Sequence, residues 1–75
     1  METKFKAGDI VIRVKDNVTE PTFHKNSLAK IHATGVHITY TYLTGKAKNI
    51  TSYLYIDTFK KSFKKATKLD LILYG

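Results

Sequence analysis

The segment Val36-His37-Ile38-Thr39-Tyr40-Thr41-Tyr42 alternates four apolar residues with three polar ones without a break. A period of two sends successive side chains to opposite sides of an extended backbone, so this stretch reads as a strand with one covered and one wet face. Such a strand needs a partner, and Ser27-Leu28-Ala29-Lys30-Ile31-His32-Ala33 supplies one just before Thr34-Gly35. With Thr34-Gly35 as a two-residue turn, Ala33 faces Val36, Ile31 faces Ile38 and Ala29 faces Tyr40, while His32 faces His37 and Lys30 faces Thr39. That register sorts apolar from polar, and a one-residue slip would destroy the sorting. Threonine fits poorly at the positive φ of a type I′ turn, so a longer loop of the same parity is the alternative.

Further strands follow from the same logic. Asp9-Ile10-Val11-Ile12-Arg13-Val14 is β-branched and opens after Gly8, with Ile10, Ile12 and Val14 on one face and Val11 and Arg13 on the other. Lys15 to Thr22 reads as a loop, because Asp16 and Asn17 favour turns and Pro21 turns Glu20 away from helix. After a turn through Leu43 to Asn49, Ile50 to Ile56 forms a strand with Ile50, Leu54 and Ile56 inward and Thr51, Tyr53 and Tyr55 outward. The period then changes: Asp57 or Thr58 can cap a short helix whose stripe is Phe59, Phe63 and Ala66. Leu69-Asp70-Leu71-Ile72-Leu73-Tyr74 closes the chain as a last strand.

At 75 residues this is one domain, spanning 1–75, and such a chain buries roughly 60% of the surface it exposes when unfolded. A flat sheet would leave one apolar side bare. The expected fold is therefore mainly β: a small SH3-like or OB-like five-stranded barrel, SH3-like preferred on length, with one short helix before the last strand.

Phe5-Lys6-Ala7-Gly8-Asp9-Ile10-Val11-Ile12-Arg13-Val14 resembles the opening of small SH3-like barrel proteins of bacteria and tailed phages, in which Gly-Asp precedes a β-branched strand. Glu20 to Ser27 occupies the loop where those proteins often carry a lysine-rich turn ending in glycine, and here Asn26 stands in the glycine's place. The resemblance implies the barrel fold, a phage or bacterial origin, and a binding role without a reaction, although a fold by itself assigns no function.

Charge is the main functional signal. Thirteen Lys plus Arg face six Asp plus Glu, for a net charge of +7. Lys60, Lys61, Lys64, Lys65 and Lys68 fall within nine residues and read as a ridge contacting phosphates. The plain alternative is the solvated face of a helix docked through Phe59 and Phe63. Lys30, Lys46 and Lys48 with Tyr53, Tyr55 and His37 form a second basic and aromatic set, on which bases would stack. For tyrosines in so small a domain, packing in the core or at its rim is the favoured reading. Twelve lysines against one arginine point to backbone-driven, weakly selective binding, because bidentate guanine reading leans on arginine; an AT-rich genome would give the same excess.

Other chemistry lacks the residues it needs. There is no cysteine, hence neither a disulfide framework nor a thiolate metal site, and a reducing bacterial cytoplasm is the expected compartment. His24, His32 and His37 raise a metal question, but the His32–His37 pair supplies two ligands where even an open zinc site needs three, so no metal and no cofactor is expected. Nothing resembles a nucleophile elbow, a paired-carboxylate site or a phosphate-cradling loop, and no enzyme is expected. No apolar run approaches the ~20 residues of a spanning helix, the N-terminus lacks a signal peptide's apolar stretch, and no membrane partner is read. The expected partner is nucleic acid, DNA more than RNA. The alternative is an acidic surface of a host protein whose activity the chain would modulate, and a homodimer through the C-terminal strand is a further option.

Overall fold

The computed structural model describes residues 5–15 and 23–75. Five strands and two helices run in the order β1 (Ile10–Arg13), β2 (Leu28–Ala33), β3 (His37–Tyr42), β4 (Thr51–Tyr55), α1 (Ile56–Ser62), β5 (Phe63–Lys65) and α2 (Lys68–Tyr74). The strands make one antiparallel sheet of order β4-β3-β2-β1-β5. The fold is mainly β, as the periodicity predicts. Among the described residues no ladder joins β4 to β5, so the sheet is open at those two edges. The expected loop Lys15–Thr22 lies outside the described residues from position 16 onward.

The Gly-Asp opening has a physical job. Gly8 takes φ +93, which a side chain would resist, and its N–H donates to the Ile31 carbonyl at 2.8 Å. The Asp9 carboxylate then accepts the Lys6 N–H at 3.1 Å, closing the turn that launches β1.

The β2–β3 pair keeps the expected parity but not the expected register. Ala29 pairs with Tyr42 and Ile31 with Tyr40, and a bulge separates Ile31 from Ala33, which pairs with Thr39. The ladder is thus displaced by two residues and the connecting loop is longer than Thr34-Gly35. A shift of two preserves the faces of Ala29, Ile31, Ile38 and Tyr40, which are buried together, but past the bulge Ala33 and Val36 are exposed where the expected register put them on the apolar face. It does separate His32 from His37: His32 Nε2 meets the Thr41 hydroxyl, while His37 pairs with Tyr55 on β4.

One side of the sheet carries the core. Val11, Ala29, Ile31, Ile38, Tyr40 and Tyr42 pack against Phe59 of α1 and Phe63 at the head of β5. Phe59 and Phe63 stack at 4.5 Å between centroids with planes 8° apart, and Tyr40 lies 5.3 and 5.0 Å from them. Such offset and tilted ring pairs add about 0.5–1.5 kcal/mol each beyond the area they bury. Ile12 and Leu28, paired across β1 and β2, are buried on the opposite side of the sheet, so β1 is covered on both faces. Ile50 and Val14 lie outside their strands and stay exposed, which corrects the inward position expected of Ile50 and the strand position expected of Val14.

The C-terminal third departs most from expectation. The helix does not run through Phe63 and Ala66, nor is it capped by Asp57 or Thr58: α1 starts after Tyr55 and ends at Ser62. Phe63, Lys64 and Lys65 pair with Arg13, Ile12 and Val11, while Val14 N–H donates to the Ser62 carbonyl and Ala66 N–H to that of Ile10. The second edge of the buried strand β1 needs these bonds, and a strand of apolar residues with unpaired backbone costs more than the helical propensity of a few lysines returns. Leu69–Tyr74, expected as the closing strand, is helical. Thr67 accepts the Asp70 N–H and Asp70 accepts that of Thr67, a capping box, and Gly75 N–H closes the far end on the Leu71 carbonyl. Leu69–Tyr74 therefore offers no strand edge to a second copy.

Candidate nucleic-acid interface

The sheet face away from the aromatic core is built from alternate positions on all five strands. Reading cross-strand partners, it carries Lys64, Ile12 and Leu28; Ile10, Lys30, Thr41 and Thr51; Thr39 and Tyr53; and His37 and Tyr55. Register explains why Tyr53 and Tyr55 face out: Leu54 opposes Ile38 and Ser52 opposes Tyr40 on the core side, so the tyrosines between them take the other face. They do not pack under α1, as the favoured sequence reading had it. Tyr40 and Tyr42 fill that place.

The exposed rings form a cluster. His37 lies 4.3 Å from Tyr55, tilted by 32°, and 5.4 Å from Tyr53 in an edge-on arrangement of 81°. Tyr53 and Tyr55 remain 64% and 61% exposed, so most of each ring is available. A hydroxyl ladder continues the face toward the sheet centre, where His32 meets Thr41 and Thr41 meets Thr51 at 2.8 Å. Lys30 opposes Thr41 across β2–β3. A cluster of exposed rings beside hydrogen-bonding hydroxyls and a lysine can hold a planar ligand by stacking and its charged or polar edge by hydrogen bonds.

The remaining candidate lysines are dispersed. Lys46 and Lys48 lie exposed in the β3–β4 loop on either side of the buried Ala47. That loop is pinned: the Lys46 backbone N–H donates to His24 Nε2 at 3.2 Å, which leaves Nδ1 to carry the ring proton and donate to the Lys25 carbonyl at 2.9 Å. Gly45, at φ +83, allows this approach, since a Cβ there would stand 2.8 Å from His24 Nε2 and 2.7 Å from Ser27 Oγ. His24 is thereby a loop fastener.

The run Lys60 to Lys68 is not one helical ridge. Lys60 and Lys61 sit in the last turn of α1, Lys64 and Lys65 on β5, and Lys68 opens α2. Lys64 opposes Ile12 and so joins the face that bears Lys30 and the tyrosines. Lys65 has the other parity and lies 3.7 Å from the half-buried Asp9 carboxylate, a surface pair of small energetic weight that nonetheless offsets its charge. The structure thus brings Lys30, Lys64, Tyr53 and Tyr55 to one face and places Lys46, Lys48, Lys60, Lys61, Lys65 and Lys68 elsewhere. Reading the run as a single helix hid this division. His37 belongs to the ring cluster, and its place in the alternation of β3 was the signal for it.

The single arginine is structural. Arg13 is buried, its Nε donates to the Lys15 carbonyl at 2.7 Å and its Nη1 to the Tyr42 hydroxyl at 3.2 Å, and its guanidinium lies 5.3 Å over the Phe63 ring. Among the described residues no group of three or more His, Asp or Glu side chains gathers where a metal ion would sit. Comparison with known proteins finds no matching family model, no similar curated protein and no similar solved structure.

Proposed function

We propose that this chain is a small non-enzymatic binding module that engages nucleic acid, DNA in preference to RNA, by weakly sequence-selective contacts. The exposed Tyr53–His37–Tyr55 cluster carries the reading. Three rings held on a rigid sheet face, in a chain of net charge +7, combine the stacking surface and the positive field that single-stranded nucleic acid needs. Lys30 and Lys64 supply charge on the same face. Because the single arginine is occupied in the interior, the available cations are lysines, which meet phosphates as point charges and discriminate bases poorly.

On this reading the sheet is a half-open, SH3-like barrel, with β1 flanked by β2 and β5 and a short helix between β4 and β5. Asn26, which stands where the phage and bacterial barrels carry glycine, has φ 69, in the left-handed region that glycine and asparagine tolerate.

Anisotropy titration of labelled single- and double-stranded DNA, at low and physiological salt, tests the proposal. Single-stranded binding that persists at physiological salt, and weakens when Tyr53 and Tyr55 are both replaced by alanine, is the expected result. Binding confined to low salt, indifferent to those tyrosines, is the generic attraction of a basic surface. It would transfer the proposal to an acidic protein partner.

A further inference from the structure

Neither the core nor the proposed interface uses α2. Leu69, Leu71, Ile72, Leu73 and Tyr74 are between 36% and 78% exposed, and no residue of the helix is buried. At 100° per residue Leu69, Leu71, Ile72 and Leu73 fall within one arc of about 200°, with Asp70 and Tyr74 on the remaining side. The helix is nonetheless specified, with a capping box at one end and a backbone cap at the other. A helix with so wide an uncovered apolar face is at home against apolar surroundings.

The charge beside it is of one sign. Lys64 and Lys65 precede the helix and Lys68 opens it, while Asp70, its one carboxylate, is turned back onto the Thr67 N–H. Lys64 lies near enough to help hold the Asp70 carboxyl below the ordinary range, after the Thr67 hydrogen bonds. A second copy fits poorly as occupant: pairing two α2 helices would bring two lysine sets together. A helix of seven residues, ~10 Å long, also offers much less than the roughly 800 Å² per partner of a standard interface. An anionic lipid surface satisfies both features, with acyl chains for the leucines and headgroup phosphates for the lysines.

We infer that α2 is a membrane-surface anchor that inserts Leu69, Leu71, Ile72 and Leu73 into the interface of an anionic phospholipid bilayer while Lys64 and Lys68 engage the headgroups. It lies on the membrane: among the described residues no helix is long and apolar enough to cross one. The sequence reading of no membrane partner rested on the lack of a spanning run and of a signal peptide, and neither bears on a helix that lies on the surface.

Flotation of the purified chain with vesicles of phosphatidylcholine, with and without phosphatidylglycerol, tests this. The chain should float with the anionic vesicles and bind the neutral ones at least about tenfold more weakly. Leu71→Ser with Ile72→Ser should weaken the anionic binding by about tenfold or more, while the unfolding midpoint and oligonucleotide affinity stay unchanged. Tyr53→Ala with Tyr55→Ala should leave flotation intact, so this inference and the nucleic-acid reading fail separately. No flotation, or flotation indifferent to the α2 double variant, overturns the inference. So does sedimentation showing a dimer in buffer that the same variant dissociates, which would make a second copy the occupant.

Discussion

Two Tyr-x-Tyr pairs sit on neighbouring strands with opposite fates. Tyr40 and Tyr42 on β3 are 2% and 1% exposed and pack among Phe59, Phe63 and Phe23; Tyr53 and Tyr55 on β4 are 64% and 61% exposed. The spacing is the same and the strands are hydrogen-bonded to each other, yet pairing puts Tyr40 opposite Ser52 and Thr39 opposite Tyr53. Facing positions share a side of the sheet, so the two pairs fall on opposite sides. The side beneath α1 is dry and crowded, and the other is wet where β4 carries its tyrosines. The comparison teaches that a tyrosine's role here depends on register and on where the helix lands, not on its local sequence.

The largest expected effect is on the buried pair. Tyr40→Ala should cost about 3–5 kcal/mol, the range for deleting a buried aromatic ring, and should leave so small a domain largely unfolded. Urea denaturation checks it; a loss below about 1 kcal/mol would mean the two pairs are not energetically distinct.

The outer pair should show the reverse pattern. Tyr53→Ala and Tyr55→Ala should each shift stability by no more than about 0.5 kcal/mol, yet each should weaken single-stranded DNA binding by about 1–3 kcal/mol. Calorimetric melting beside anisotropy titration separates the two quantities. A fall in stability matching that of Tyr40→Ala would collapse the contrast.

Ionisation offers a third probe. Burial chiefly, and Tyr42 beside it, push the Tyr40 phenol well above the ordinary tyrosine range. In the unfolded chain it titrates near about 10. Since the folded value is the raised one, the stability tied to neutral Tyr40 is full below about pH 10 and is lost as pH rises beyond it toward the folded value. Denaturation midpoints should therefore fall on the alkaline side, and Tyr40→Phe should flatten that fall.

The lysines that share the outer face give a smaller effect. Replacing Lys30 and Lys64 together by alanine should reduce the slope of log affinity against log salt by about 1.4, at roughly 0.7 per phosphate contact on a single strand. An unchanged slope would remove both from the interface and leave the rings without a charged border.

The smallest effect concerns α2, a third region that belongs to neither side of the sheet. The Thr67 backbone hydrogen bond, followed by its hydroxyl and the charge of Lys64, holds the Asp70 carboxyl below its usual range. The contribution of this cap is present above the ordinary carboxylate range and is lost as pH falls through the lowered folded value. Helical circular dichroism should thus decline in acid before the sheet opens, and Asp70→Asn should remove that early step without moving the global midpoint. A shifted midpoint would show that α2 is packed in the folded domain.

Much of this could be read from residues alone. The alternation of Val36 to Tyr42 marks β3 and its buried side, the β-branched run after Gly8 marks β1, and the parity of Tyr53 and Tyr55 points them outward. The reason is local: a period of two is imposed by the extended backbone itself. The spacing Thr67-x-x-Asp70 before an apolar run also announced a helix start, a signal that the run of leucines and isoleucine obscured. Other features depended on distant partners. The bulge after Ile31 displaced the hairpin by two residues while Ala29, Ile31, Ile38 and Tyr40 kept their side, so the pattern was blind to it and to the exposure of Ala33 and Val36. Whether Phe63 continued a helix or began a strand was decided by the free edge of β1, some fifty residues earlier in the chain, whose buried backbone groups require partners. The division of the lysines among a helix, a strand and a second helix followed from that one choice. So did the separation of Lys64, on the aromatic face, from Lys65, at Asp9. Local periodicity determined where β1 to β4 lie and which way most of their residues point; only the closing of long-range hydrogen bonds decided which of them meet and what the C-terminal third becomes.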